Sequence, residues 1–209
     1  MGCLLIGCRA DHTDRPSSLP LSHSERLADE SVRVPEAIGK ATERSPSAVL
    51  FVEFVATPQD VVERMLTVAG ITKDDVVYDL GCGDGRIVVT AARRYGCKAV
   101  GYDLDPLRIQ EARKNAAEHR VADLVIIEQK DVLKADLQKA SVVMLYLGTE
   151  INARLVPQLE KLGPGARIVS HDFPLGDLPP ARVVGMTSRA DGRKHTIYLW
   201  TCPLPLKSP

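Results

Sequence analysis

From about residue 50 the chain alternates short apolar runs with stretches in which apolar residues return every three or four positions. The first pattern predicts strands buried on both faces, and the second predicts helices with one apolar stripe. "TPQDVVERMLTVAG" (57–70) opens with Thr57 as the expected N-cap and Pro58 at the first helical position. It carries Val61, Val62, Met65, Leu66 and Ala69 at helical spacing and stops at Gly70. "DVVYDL" (75–80) follows as the first strand, "GRIVVTAARRYG" (85–96) as a helix closed by Gly96, and "KAVGYDLD" (98–105) as the second strand. "PLRIQEARKNAAEHR" (106–120) is a helix led by Pro106, and "LVIIEQK" (124–130) and "SVVMLYL" (141–147) are strands three and four. "TEINARLVPQLEKLGPG" (149–165) reads as a helix with Pro157 inside it and a stop at Gly163-Pro164-Gly165. "ARIVSHD" (166–172) is strand five, while "RVVGMT" and "HTIYLW" form a closing hairpin around "SRADGRK" (188–194). The order predicts an α/β fold: a doubly wound, mainly parallel sheet of seven strands, with its ligand site at the carboxyl ends of the strands.

The first 48 residues break this pattern. They are rich in Ser, Pro and charge, a composition that buries too little apolar surface to order itself. Residues 1–48 are therefore expected to be a flexible tail, with at most a short helix around Glu36 to Arg44, and residues 49–209 a single domain. Leu5-Ile6-Gly7-Cys8 resembles a bacterial lipobox but lacks a basic segment before it, and its apolar run is short for a signal peptide. Two addresses follow: cytoplasmic, or exported and lipid-anchored through Cys8. No run of about 18 apolar residues exists, so no transmembrane helix is expected.

Lys plus Arg and Asp plus Glu both number 27, which leaves no net field to draw in nucleic acid or an acidic membrane. No nucleic-acid partner is expected. The five cysteines form no CxxC pair and no spacing that would build a tetrahedral zinc site, so no metal is expected. Nothing in the sequence marks an oligomeric interface.

The chemistry concentrates in "VVYDLGCGDGR" (76–86), where an apolar strand ends on Asp79 and glycines follow at 81, 83 and 85. Glycines at a strand-to-helix turn let a ligand approach the backbone, and the helix N-terminus offers N–H groups to an anion. The dinucleotide fingerprint G-x-G-x-x-G/A fails at its third position, which is Arg86, and the Gly-Lys-Ser/Thr ending of a phosphate loop is missing. Both nicotinamide and nucleoside-triphosphate readings lose a required residue.

What remains, an acid followed by x-G-x-G-x-G, resembles the first motif of class I S-adenosylmethionine-dependent methyltransferases. The resemblance covers roughly residues 50–201 and implies their Rossmann-like fold and their cofactor, S-adenosylmethionine. It places Asp79 at the cofactor's amino-acid end and Gly81, Cys82 and Gly83 against the cofactor, with glycine N–H groups suited to its carboxylate. Asp103, ending the second strand in "GYDLDP", matches the acid that binds the ribose. Asp131 in "EQKDVL" matches the position that binds the adenine amino group, with Val132 beside it. Asp79 and Asp131 have structural alternatives, as a helix cap and as an ordinary loop acid, while for the helix led by Pro106 Asp105 is better placed to cap than Asp103.

"FVEFVATP" (51–58) together with "GDGRIVVTAA" resembles the DOT1-like lysine methyltransferases of the FAM173 kind and their bacterial relatives, which methylate protein lysines. That resemblance places Thr57 near the cofactor. "LYLGTEIN" (145–152) does not reproduce the Asn-rich motif of the histone enzymes, so a histone substrate is not implied. Tyr146, ending strand four, is the candidate catalytic residue beside the transferring methyl, where an aromatic face stabilises a cation; a core tyrosine is the alternative. His171 and Asp172 are either proton acceptors or a structural turn. The expected function is methyl transfer from S-adenosylmethionine, most directly to a protein lysine, with a small-molecule or lipid methyltransferase and a non-enzymatic binding module as alternatives.

Overall fold

The computed structural model describes residues 54–205. The tail, lipobox and residue 36–44 helix expectations, and residues 51–53 of the 51–58 segment, lie outside the described residues. Among the described residues, five helical segments and seven strands follow in order. They are α1 (Gln59–Ala69), β1 (Val76–Leu80), α2 (Arg86–Tyr95), β2 (Lys98–Asp103), α3 (Pro106–Glu118), β3 (Val125–Gln129), a 3-10 turn (Val132–Lys134), β4 (Val142–Leu145), α4 (Thr149–Leu159), β5 (Arg167–His171), β6 (Arg182–Thr187) and β7 (Lys194–Thr201).

The strands form one sheet in the order β3-β2-β1-β4-β5-β7-β6. β1 to β5 are parallel, and β7 pairs antiparallel with both β5 and β6. The chain therefore reverses direction across the sheet between β1 and β4, and the crevice at that switch point opens at the carboxyl ends of β1, β2 and β4. Alternation along the strands builds two cores. Val77, Ala99, Ile127, Met144 and Val169 face α1, α2 and α3, while Leu80, Val143, Leu145 and Ile168 face α4 and Trp200. Trp200 is fully buried and its indole N–H donates to Leu178 O at 3.0 Å, so it is a core residue.

Two boundaries differ from the sequence expectation. Thr57 is not a cap: Pro58 holds the N-cap position of α1, with no side-chain cap bond, and Thr57 is buried. The reason is tertiary, since its hydroxyl lies 3.3 Å from His171 Nδ1 on β5 and its carbonyl accepts from Arg86 Nη1 at 2.8 Å. α4 ends at Leu159 rather than at Gly163. The bonds Lys161 N–H to Gln158 O and Leu162 N–H to Leu159 O tighten the chain into a turn before the glycines are reached. Gly70 and Gly96 close α1 and α2 in the left-handed conformation, as expected.

Behind the sheet, away from the crevice, Asp75 anchors the other ends of the strands. Its carboxylate accepts from Ser141 Oγ at 2.7 Å, from Thr72 N–H at 2.8 Å and from Thr72 Oγ1 at 3.1 Å, and it pairs with Arg167. Arg167 in turn donates to the carbonyls of Ala69 and Gly70 that end α1.

Candidate active site

The loop after β1 is folded down onto β2. Gly81 and Cys82 both donate their N–H to Tyr102 O at 2.8 Å, and Gly83 N–H donates to Asp103 Oδ2 at 2.8 Å. This corrects the expectation that these amides would bind a carboxylate: all three are spent within the fold, in fixing the loop. The glycines are needed for conformation and closeness instead. Gly81, Gly83 and Gly85 have φ of 77°, 53° and 76°. A Cβ at Gly83 would run into the Phe54 ring, and one at Gly81 into Leu147. Cys82 is buried with its sulfur under Gly101, and burial pushes its thiol far up, so it acts as a small apolar filler.

Asp79 is 3% exposed, and its Oδ2 is buried without a hydrogen-bond partner. Burial, then the charges of Asp103 and Asp84, pushes its carboxyl up to about 8. A buried carboxyl with an open acceptor is what a cationic group of a ligand would satisfy. Asp103 is half-buried; besides Gly83 it accepts from Asp105 N–H at 2.9 Å, which leaves acceptor capacity on both oxygens. Asp105 caps α3 by accepting from Leu107 N–H at 2.8 Å. Asp131 also caps, accepting from Leu133 N–H at 3.0 Å at the start of the 3-10 turn, and Val132 packs at the edge of the second core. Asp79, Asp103 and Asp131 thus stand at or just past the ends of β1, β2 and β3, three neighbouring strands of the sheet.

Arg86, which excluded the nicotinamide reading, has its own part. It grips Asp84 through Nε at 2.9 Å and Nη2 at 2.5 Å while Nη1 holds the Thr57 carbonyl, so α2 pins the segment before α1 across the crevice.

At the end of β4, the Tyr146 ring lies against His171, with centroids 4.0 Å apart and planes tilted by 30°, and stacks on Phe173 at 5.8 Å. His171 is fully buried. Burial and the neighbouring His195 lower its pKa to about 4 against the opposing pull of Asp172, so the ring is uncharged at neutral pH, with its Nε2 3.2 Å from Asp172 Oδ2. His195 on β7 lies 2.8 Å from His171 Nε2, and its own Nε2 reaches Asp191 at 3.2 Å. Neither His195 nor Asp191 is legible as a site residue in the sequence, because only the antiparallel pairing of β5 with β7 brings them to His171. Asn152 escaped as well. It is fully buried on α4 and donates to Ser170 Oγ at 3.1 Å and Phe173 O at 3.0 Å, holding the turn that follows β5.

Asp79 gives this site a measurable pH signature. Its folded pKa of about 8 lies above the ordinary 3.8. Between those values the folded, cofactor-free protein keeps a proton that the unfolded chain has released, so stability falls as pH rises through that window and levels off above it. Asp79→Asn should remove that slope while titrations elsewhere remain common to both proteins, shifting relative stability by up to about 6 kcal/mol across the window. Thermal unfolding of both proteins over this range measures it; parallel curves would show that Asp79 is not held neutral.

The ANTKMT methyltransferase domain matches residues 79–182. A protein-lysine N-methyltransferase of Saccharolobus islandicus (strain REY15A) is 43% identical over 157 residues, 74% of this chain and 96% of its own. The adenine nucleotide translocase lysine N-methyltransferase of Mus musculus is 36% identical over 138 residues, 65% of this chain and 59% of its own. Among solved structures, an RNA methyltransferase from Salinibacter ruber in complex with S-adenosyl-L-homocysteine is 46% identical, with a TM-score of 0.67, covering 74% of this chain and 97% of that one.

Proposed function

The chain belongs to the ANTKMT-type family of S-adenosylmethionine-dependent methyltransferases, and on that premise we propose that its acceptor is the side-chain amine of a protein lysine. The observation that carries this is the 43% identity to a protein-lysine N-methyltransferase across 96% of that enzyme's length. The site's charge supports it. Asp103 and Asp172 present carboxylates to the crevice that suit a cationic acceptor. An RNA acceptor, which the Salinibacter ruber protein's description offers, would need free cations at the crevice. Arg86 and Arg108 beside it are tied instead, Arg86 to Asp84 and Arg108 to Glu111 and the Phe54 ring.

In this reading Asp79 takes the ammonium of the cofactor's amino-acid end through its open oxygen, and Asp103 takes the ribose. Gly81, Cys82 and Gly83 form the floor, Asp131 and Val132 border the adenine, and Thr57 closes the acceptor side. Bound S-adenosylmethionine supplies a sulfonium methyl for in-line displacement, so the protein's work is to align the amine and exclude water. The lysine must arrive neutral, and burial against apolar walls favours its neutral form. Tyr146 offers its ring face or phenol oxygen to the developing cation. Tyr146→Phe should lower kcat about 10-fold and Tyr146→Ala about 100-fold, with the KM for S-adenosylmethionine nearly unchanged. A loss confined to KM would remove Tyr146 from the transfer step.

The test is transfer of labelled methyl from S-adenosylmethionine into a host lysate separated into protein, RNA, lipid and small-molecule fractions, with Asp103→Ala as the blank. Methyl-lysine in hydrolysed protein, absent from the blank, is the expected result. Label in RNA, lipid or small molecules alone would overturn the lysine assignment. Among the described residues no helix is long and apolar enough to cross a membrane. The cytoplasm, where S-adenosylmethionine is made, is the compartment this reading implies, and the mass of the mature N-terminus tests it against lipidation at Cys8.

A further inference from the structure

His171 Nε2, His195 Nδ1 and Asp172 Oδ2 form a triangle with sides of 2.8, 3.2 and 3.1 Å. From this triangle the geometry points to a divalent transition-metal site, of the zinc class, at the junction of β5 and β7. A tetrahedral ion with ligands at about 2.0–2.1 Å separates them by on the order of 3.3 Å, so each side of the triangle is close to the edge such an ion requires. Two imidazoles and one carboxylate are a donor set for zinc or a neighbouring first-row ion, with a further position open to water.

The surroundings are those of ligands rather than of a chance cluster. Both histidines are buried, and each has an acceptor for its outer ring nitrogen: Thr57 Oγ1 at 3.3 Å from His171 Nδ1, and the Asp191 carboxylate at 3.2 Å from His195 Nε2. With the N–H groups turned outward to these acceptors, both inner nitrogens would present lone pairs to the centre of the triangle beside the carboxylate. A cation seated there would satisfy all three atoms at once.

The backbone is also bent to the purpose. Asp172 has φ of 59°, a conformation uncommon outside glycine, and its Oδ1 is fixed by Thr196 N–H at 2.7 Å so that Oδ2 faces the triangle. An ion here would clasp the end of β5 to the start of β7, directly behind the ring of Tyr146.

The experiment uses the full chain, stripped of metal with a chelator, desalted and titrated with Zn²⁺ by calorimetry and with Co²⁺ by absorption. One equivalent of zinc at micromolar affinity or tighter, and a d–d spectrum of nitrogen and oxygen ligation, are expected. His195→Gln should weaken binding by on the order of 100-fold or more. Asp172→Asn should do likewise, and asparagine tolerates the left-handed backbone, so this variant keeps the fold if His195→Gln does not. Wild-type protein that binds no zinc, variants that bind as tightly as wild type, or a thiolate-to-cobalt charge-transfer band would each overturn the site. The readout is bound ion, so its failure leaves methyl transfer and the lysine assignment where they stand.

Discussion

Asp103→Ala is expected to abolish methyl transfer and to weaken binding of S-adenosylmethionine by on the order of 100-fold or more, since hydrogen bonds to a charged acceptor contribute about 1.5–3 kcal/mol each. The carboxylate holds Gly83 N–H and Asp105 N–H and has acceptor capacity left, so it stands between the loop that lines the crevice and whatever occupies it. Asp105→Ala is the control. It deletes the cap bond to Leu107 and should cost about 1 kcal/mol of stability while leaving cofactor affinity nearly intact. Isothermal titration of both variants decides the matter: equal losses of affinity would mean that Asp103 acts only by ordering the loop.

The largest loss of stability should come from the opposite end of the sheet. Asp75→Ala is expected to cost about 3–5 kcal/mol in chemical denaturation, because it leaves the largely buried Arg167 without its anion and Ser141 and Thr72 without their acceptor. Burial raises the carboxyl's pKa, but the Ser141 hydroxyl, the Thr72 amide and Arg167 together outweigh it and hold the group below its ordinary 3.8. This contribution is therefore fully present above about pH 5 and is lost as pH falls through the depressed folded value. Wild-type protein should lose stability on acidification toward pH ~3 in a way that Asp75→Ala does not. A variant that retained the acid-dependent loss would shift the cause to another carboxylate. Methyl transfer by the folded variant should persist, since nothing at this end touches the crevice.

The contrast between these two acids shows what a single chain can reveal about itself. Asp103 stands out because its neighbours in sequence, a buried strand before it and a capped helix after it, already fix its place at a strand end. Asp75 begins the same kind of strand, yet its importance rests on Ser141 and Arg167, 66 and 92 residues away, and no local pattern encodes that meeting. The same limit hid His195 and Asp191, which become neighbours of His171 only through the β5–β7 ladder. Strands buried on both faces were legible as unbroken apolar runs, and helix ends where Gly70 and Gly96 supply a left-handed residue. Thr57 misled because its hydroxyl satisfies the ordinary rule for a cap, while a distant histidine offers a competing partner. The glycine loop misled more subtly. Its composition announces close approach, but composition does not say which way an N–H points, and here those amides face β2.

The direction of β7 has a consequence for how such a protein can change. Because this strand runs against its neighbour, it is the beginning of β7, not its end, that arrives beside the carboxyl end of β5. The hairpin turn at 188–193 is delivered to the same side, tied to α1 by Ser188 Oγ and Arg189 N–H on Asp60. The acids proposed to hold the cofactor all fall between residues 79 and 131, whereas His195 and this turn come from the last part of the chain. A lineage could lengthen, recharge or exchange that turn and alter what is brought to the methyl group, without revising a residue of the half proposed to hold the methyl donor.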